Sequence, residues 1–205
     1  YEEDVTAPYL IRRYVSDQSD YETLYSITDR AEGDPAFIFN VTMQNHSSYA
    51  QGWNNLEKTI TLPTEQRTAD TTAEQYLSLM RASDDALRDL IAHYEQSPEP
   101  TMIVFFGDHQ PPLKNAFYEQ LYGKPLDQRT TEEVLKQYAT PFFLWTNYDI
   151  QEREDVVLSP NYLGVLTAKA AGLPLTGFMS FLSQLYEELP VITPGGIITG
   201  DGQAV

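Results

Sequence analysis

The tract Gly107-Asp108-His109-Gln110-Pro111-Pro112 sets a hard carboxylate oxygen beside an imidazole nitrogen, directly after the apolar run 101–106. That donor pair suits zinc, manganese or a similar dication. Neighbours on an extended strand point to opposite faces. Gly107 before the pair and the prolines after it allow the chain to turn, so that both side chains converge. By spacing alone the pair reads equally well as a turn aspartate beside a half-exposed histidine. Two ligands also leave a site short of the three that a protein normally supplies. His46 closes the tract Thr42-Met43-Gln44-Asn45-His46, at the end of another apolar run. It can hydrogen-bond an anionic substrate oxygen or donate a proton, or it can cap backbone groups in a loop. Gln44 and Asn45 are expected to stabilise that turn.

Other polar residues read more simply. His93 falls late in a helical pattern, where a cation is favoured by the helix dipole, and is expected to be structural. Asp84 and Asp85 are expected on a solvated helix face. Trp53 and Arg67 lie in a long loop and are candidate substrate contacts, although a tryptophan there commonly packs. Gly-x-Ser-x-Gly, Walker and Gly-x-Gly-x-x-Gly patterns are absent, and the late glycines follow no clear strand.

The elements that must position these groups alternate. Residues 16–31 read as a helix stopped by Gly33-Asp34-Pro35. Residues 36–43, rich in Phe, Ile and Val, read as a buried strand. Residues 44–68 read as a long loop with a short irregular strand at most, of a length often used for function. Thr71-x-x-Glu74 suggests a capping box. Tyr76, Met80, Ser83, Leu87, Leu90, Ile91 and Tyr94 follow at helical spacing up to Pro98. The run 101–106 is apolar throughout, as in a strand covered on both faces. Thr130-x-x-Glu133 opens a short helix, 141–146 is a third strand, and Ser159-Pro160 starts a helix that ends at Gly172. A last helix covers 177–189, and 194–205 is a turn-rich tail expected to fray. Strands alternating with helices imply parallel crossovers and an α/β sandwich, with a mostly parallel central sheet flanked by helices. Ligands in such sheets sit at the carboxyl ends of the strands, where His46 and Asp108-His109 fall.

The chain has 205 residues, 41% of them hydrophobic and 21% charged, which supports a packed core. Its net charge of −17 excludes nucleic acid and anionic membrane surfaces as partners of the chain itself. The absence of cysteine excludes disulfides, thiolate catalysis and Cys-ligated zinc. No apolar run reaches the roughly 20 residues of a transmembrane helix. The chain opens at Tyr1-Glu2-Glu3-Asp4 with neither an initiator methionine nor a signal peptide, as expected of a piece cut from a longer protein.

In order along the chain, Phe37-Ile38-Phe39-Asn40-Val41-Thr42-Met43-Gln44-Asn45-His46, then Phe105-Phe106-Gly107-Asp108-His109, then Ser159-Pro160-Asn161-Tyr162-Leu163-Gly164, then Ala171-Gly172-Leu173-Pro174 resemble the sulfatase-like domain of lipoteichoic acid synthases and related bacterial phosphoglycerol transferases. The resemblance covers roughly residues 17–192. It implies an alkaline-phosphatase-superfamily fold, with residues 1–193 as the C-terminal part of the catalytic domain. It implies a membrane-anchored, extracytoplasmic parent enzyme that transfers glycerol phosphate from a phospholipid head group. By resemblance Asp108 and His109 bind a dication, manganese first, with magnesium or zinc as alternatives, and His46 contacts the phosphate-bearing substrate. The family also uses an acidic metal ligand and a threonine nucleophile from an earlier strand–loop–helix region. Thr6 has no strand before it, so the nucleophile is expected upstream and the chain alone is expected to be inactive. A sulfatase, a phosphomonoesterase or phosphodiesterase of the same superfamily, or an inactive fragment is the alternative.

Overall fold

The computed structural model describes residues 7–30, 34–50 and 52–205. Two compact units form, one from residues 1–99 and 111–123 and the other from residues 100–110 and 124–205. No helix of the described residues is long and apolar enough to cross a membrane.

The first unit begins with an antiparallel hairpin, β1 (Leu10–Ile11) and β2 (Tyr14–Val15), in which Ile11 faces Tyr14. Arg12 and Arg13 make the two-residue turn, and Arg12 takes a φ of 58°. Tight hairpins normally place Gly, Asn or Asp in that left-handed region, so the sequence carries no hairpin signal. Ser16 then starts α1 (Asp17–Arg30), its Oγ accepting the backbone N–H of Ser19 at 3.2 Å. After the long loop come α2 (Thr64–Ala69) and α3 (Ala73–Glu95), the longest helix. The suggested Thr71–Glu74 capping box does not form. Asp70 takes its place: its carboxylate accepts the Thr72 backbone N–H at 2.8 Å and the Thr72 hydroxyl at 2.6 Å. Glu74 instead accepts the Leu62 backbone N–H at 3.0 Å. The buried seam of α3 includes Ser78, Leu79, Ser83, Ala86, Leu90 and Tyr94, whereas Met80 is exposed. The seam is rotated from the apolar pattern because small and hydroxylated residues make the close contacts. Tyr49, Ala73, Leu79, Leu113 and Phe117 form the core, Phe117 coming from α4 (Asn115–Tyr122), which packs on α2. Each large apolar side chain buried there contributes about 1.5–3 kcal/mol.

Residues 36–43 correct the expectation of a buried strand. They pair with no described strand, and Phe37 and Phe39 are 92% and 71% exposed. A strand holds only when a neighbour completes its hydrogen-bond ladder. Here the segment is tied through side chains instead, with Asn40 Nδ2 donating to Asp20 Oδ2.

The second unit holds β3 (Met102–Phe106) and β4 (Phe142–Thr146), in register from Met102 opposite Thr146 to Phe106 opposite Phe142. The α/β class stands, but the expected parallel orientation is corrected: the pair is antiparallel. A parallel neighbour needs a crossover that carries the chain back to the strand's starting end. Here the chain re-enters where β3 stops, with the Gly107 N–H donating to Pro141 C=O at 3.1 Å and Thr140 Oγ1 donating to Gly107 C=O at 2.8 Å. β3 is half-buried rather than covered on both faces, and Phe106 is exposed. Before β4 lies α5 (Thr131–Leu135), opened by a complete Thr130–Glu133 capping box. Pro160 starts a 3-10 turn that leads into α6 (Leu163–Ala170), which packs on α7 (Gly177–Glu188). Then β5 (Val191–Thr193) and β6 (Gly196–Ile198) form a hairpin. Ser159 does not cap its helix; its Oγ accepts the Ile192 N–H and donates to the Ile192 C=O, at 2.6 and 3.0 Å. The tail, expected to fray, is closed by backbone hydrogen bonds. Ile197 and Val205 exchange backbone hydrogen bonds at 2.9 Å, and the Gly200 N–H donates to Glu188 C=O at 2.8 Å.

Candidate functional site

Asp108 and His109 lie in the second unit, and His46 lies in the first. Gly107 ends the ladder of β3, and a Cβ there would meet Thr140 Cβ at 3.0 Å. The close approach of residues 107 and 140 therefore favours glycine, and the chain turns outward directly after it. Asp108 Oδ1 accepts the His109 backbone N–H at 2.8 Å, which folds the carboxylate back over its neighbour. Asp108 Oδ2 then lies 3.4 Å from His109 Nε2, on side chains 83% and 69% exposed. The His109 Nδ1 lies 2.9 Å from the Gln110 C=O. A carbonyl only accepts, so Nδ1 carries the proton, and in the neutral ring Nε2 presents its lone pair. This is the arrangement of metal-ligating histidines, which commonly donate their other N–H to a backbone carbonyl. Two ligands of one tetrahedral zinc ion with bonds of about 2.0–2.1 Å stand roughly 3.3–3.4 Å apart. The spacing and the donor types fit a shared dication. Among the described residues no group of three or more metal-ligating side chains is assembled.

The His46 loop is built differently. The Gln44 side chain is buried; its Oε1 accepts the Asp17 N–H at 2.9 Å, and its Nε2 donates to Ser83 Oγ at 3.0 Å. Asn45 Nδ2 also donates to Ser83 Oγ, at 2.7 Å. Ser83 Oγ donates its own hydrogen bond to Asp17 Oδ2, so one hydroxyl on α3 joins both turn residues to the start of α1. This matches the stabilising role expected of Gln44 and Asn45. Burial pushes the Asp17 carboxyl up to about 6, against the lowering effect of the Ser83 hydrogen bond. From the β1–β2 turn, the Arg12 guanidinium donates to the backbone carbonyls of Gln44, His46 and Ser48 at 2.6, 2.6 and 2.9 Å. Burial lowers its pKa, while the Tyr49 and Tyr14 phenols oppose the shift. The exposed His46 ring places Nδ1 2.9 Å from Ser47 C=O and 3.2 Å from Tyr14 Oη.

Arg12, Tyr14 and Asp17 escaped the sequence reading, which placed Ser83 on a helix face without linking it to the His46 loop. The only trace of the first two is an Arg-Arg pair inside the apolar tract Leu10-Ile11-Arg12-Arg13-Tyr14-Val15. The remaining candidates are accounted for by packing and surface pairing. His93 stacks on Tyr25 with centroids 3.8 Å apart. Arg67 lies 3.7 Å from Glu74, and Asp84 lies 3.6 Å from Arg88. Trp53 is half-buried.

The family model described as Sulfatase matches residues 1–173. A Rhizobium meliloti (strain 1021) protein named "Putative cyclic beta-1,2-glucan modification protein" is 27% identical over 198 residues, 94% of this chain and 30% of that protein. The capsular polysaccharide biosynthesis protein RkpI of the same organism is 31% identical over 103 residues, 50% of this chain and 17% of that protein. The chain thus spans under a third of the length of these curated relatives. Among solved structures, the Streptococcus pyogenes phosphoglycerol transferase GacH in complex with sn-glycerol-1-phosphate is similar, with a TM-score of 0.63 and 17% identity over 93% of this chain and 47% of that chain. At that identity the likeness shows a shared fold.

Proposed function

Since the chain belongs to the sulfatase family, we propose that it is part of a metal-dependent phosphoglycerol transferase acting on glycerol-phosphate groups at the outer face of the bacterial cell membrane. The observation that carries this is the Asp108–His109 pair, with Oδ2 and a lone-pair-bearing Nε2 set 3.4 Å apart after β3. These two atoms would hold a divalent metal, manganese first and magnesium or zinc next. The metal would draw charge from the phosphoryl oxygens and lower the pKa of the attacking hydroxyl. His46 presents Nε2 and, as the imidazolium, donates a hydrogen bond to a phosphoryl oxygen of the substrate. The sn-glycerol-1-phosphate bound by GacH supports that substrate class. In this proposal the nucleophile is a threonine outside residues 1–205, the donor is a phospholipid head group, and the membrane anchor belongs to the longer protein.

The test uses this chain together with the sequence preceding it, and measures release of glycerol phosphate from phosphatidylglycerol. Turnover is expected to need the metal and to fall at least about 100-fold in Asp108→Ala and in His109→Ala, as second-shell losses alone reach that size. Metal-independent turnover, or turnover untouched by both substitutions, would count against the proposal. A sulfate-ester hydrolase is the second reading, favoured by the family that the model describes. One fold hosts both chemistries, and a panel of sulfate and phosphate esters separates them.

A further inference from the structure

The loop that carries His46 is held by a buried cation. Arg12 is 4% exposed, and its partners are the carbonyls of Gln44, His46 and Ser48 rather than any described carboxylate. The Tyr14 and Tyr49 rings flank the guanidinium, with centroids 5.2 and 5.5 Å from its Cζ. A rigid planar fork with five donors holds several carbonyls at fixed angles, whereas an ammonium on a flexible stem has three donors and no such fixed geometry. Arg12 does this from the left-handed region, at φ 58°. Such conformations persist where the surrounding structure over-determines them, and they cluster at functional sites. Two residues on, Tyr14 Oη lies 3.2 Å from both His46 Nδ1 and Ser47 C=O. The same Ser47 carbonyl lies 2.9 Å from His46 Nδ1. Because that carbonyl only accepts, Nδ1 holds the proton, which in the neutral ring leaves the lone pair on Nε2. Arg13 Nη2 donates to Tyr14 Oη at 2.9 Å, which steadies the phenol.

We propose that Arg12 and Tyr14 are positioning residues for His46. Arg12 fixes the backbone of residues 44–48, so that the Ser47 carbonyl meets Nδ1. Tyr14 holds the ring over that carbonyl. Together they select the tautomer in which Nε2 is the working nitrogen: a lone pair when the ring is neutral, and a proton donor to a phosphoryl oxygen when it is charged. The use of that nitrogen rests on the function proposed above, whereas the hairpin's control of the ring does not.

The protein has three histidines, His46, His93 and His109, so long-range proton–nitrogen NMR spectra resolve each imidazole. Loss of one set of signals in His46→Gln assigns the ring. In the wild type at alkaline pH, His46 is expected to show a protonated Nδ1 and a bare Nε2. Arg12→Met and Arg12→Lys are expected to give mixed tautomers, the lysine because it keeps the charge but not the fork. Tyr14→Phe is expected to shift the same signals in the same direction, by less. A wild-type His46 spectrum in folded Arg12→Met overturns the proposal even if the melting temperature falls, since Arg12 would then serve stability alone. If Arg12→Met does not fold, Arg12→Lys decides in the same way. A protonated Nε2 in the wild type also overturns it. Titration with sn-glycerol-1-phosphate separates the two ideas. His46 signals that ignore the ligand, while the Arg12 variants still scramble the tautomer, leave the positioning role standing and remove the substrate role.

Discussion

Two buried aspartates show how local partners set the sign of a carboxylate's contribution. Asp70 is buried, which alone would raise its pKa. Hydrogen bonds from the Thr72 hydroxyl and from the backbone N–H groups of Lys114 and Thr72 outweigh that, and hold it below the ordinary value. Asp70 therefore stabilises the fold above the ordinary carboxylate range, and that support fades as pH falls through its lowered value. Asp17 is the opposite case. Burial dominates, and the carboxyl sits at about 6 against an ordinary 3.8. The folded chain then holds this proton more tightly than the unfolded chain. The stability it contributes is full below about pH 4 and lost as pH rises through about 6. Asp17→Asn keeps an acceptor for Ser83 and removes the titration. Between pH 8 and pH 5 the wild type is expected to gain about 1–1.5 kcal/mol relative to Asp17→Asn in urea unfolding. A gap that stays constant over that range would show that Asp17 does not titrate there.

Elements were legible where local chemistry and tertiary packing agree. α1, α3, β3, β4, α5 and α7 fall close to where period, caps and breakers put them, and the Thr130–Glu133 box forms in full. Residues 36–43 failed because strand composition records a preference, while a strand requires a partner. The hairpin of Arg12 failed for the reverse reason. Its turn contradicts local preference and is held by hydrogen bonds to residues more than thirty positions away. The same limit applied to the candidate site. Asp108, His109 and His46 were visible as residue types at chain turns, but the groups that orient His46 carry no local signature. Gly107 was read as a strand breaker; the structure adds that it admits Thr140 against the end of β3. A Cβ at 107 would press on Thr140 Cβ at 3.0 Å, beside the Thr140 hydroxyl bond to Gly107 C=O. Gly107→Ala is expected to cost about 1–3 kcal/mol by overpacking. Adding Thr140→Gly removes the offending Cβ, so the double variant should lose less than the two single losses added together. Simple additivity in that double-mutant cycle would place the cost of Gly107→Ala elsewhere.

At the scale of the whole molecule, 30 acidic residues face 13 basic ones, and several described ion pairs are exposed contacts along α3, such as Arg81–Asp85 and Arg88–Asp85. Surface pairs of that kind contribute little, so the net charge of −17 leaves self-repulsion that dissolved salt screens. The melting temperature should therefore rise with sodium chloride. This general effect complicates any test of a metal site, because every added dication also screens. The two contributions separate by comparing manganese chloride with sodium chloride at equal ionic strength. A ligand that binds only the folded chain stabilises it by RT ln(1 + [L]/Kd), about 2.7 kcal/mol at a hundredfold excess over Kd. If Asp108 Oδ2 and His109 Nε2 hold a dication, manganese should raise the melting temperature beyond matched sodium chloride. The excess should vanish in Asp108→Ala and in His109→Ala. Both variants should keep the ordinary salt response, since their side chains are largely exposed and carry little of the fold. An excess that survives both substitutions would locate the bound manganese on the acidic surface at large, and a response identical to sodium chloride would mean that this chain does not hold the metal through these two residues.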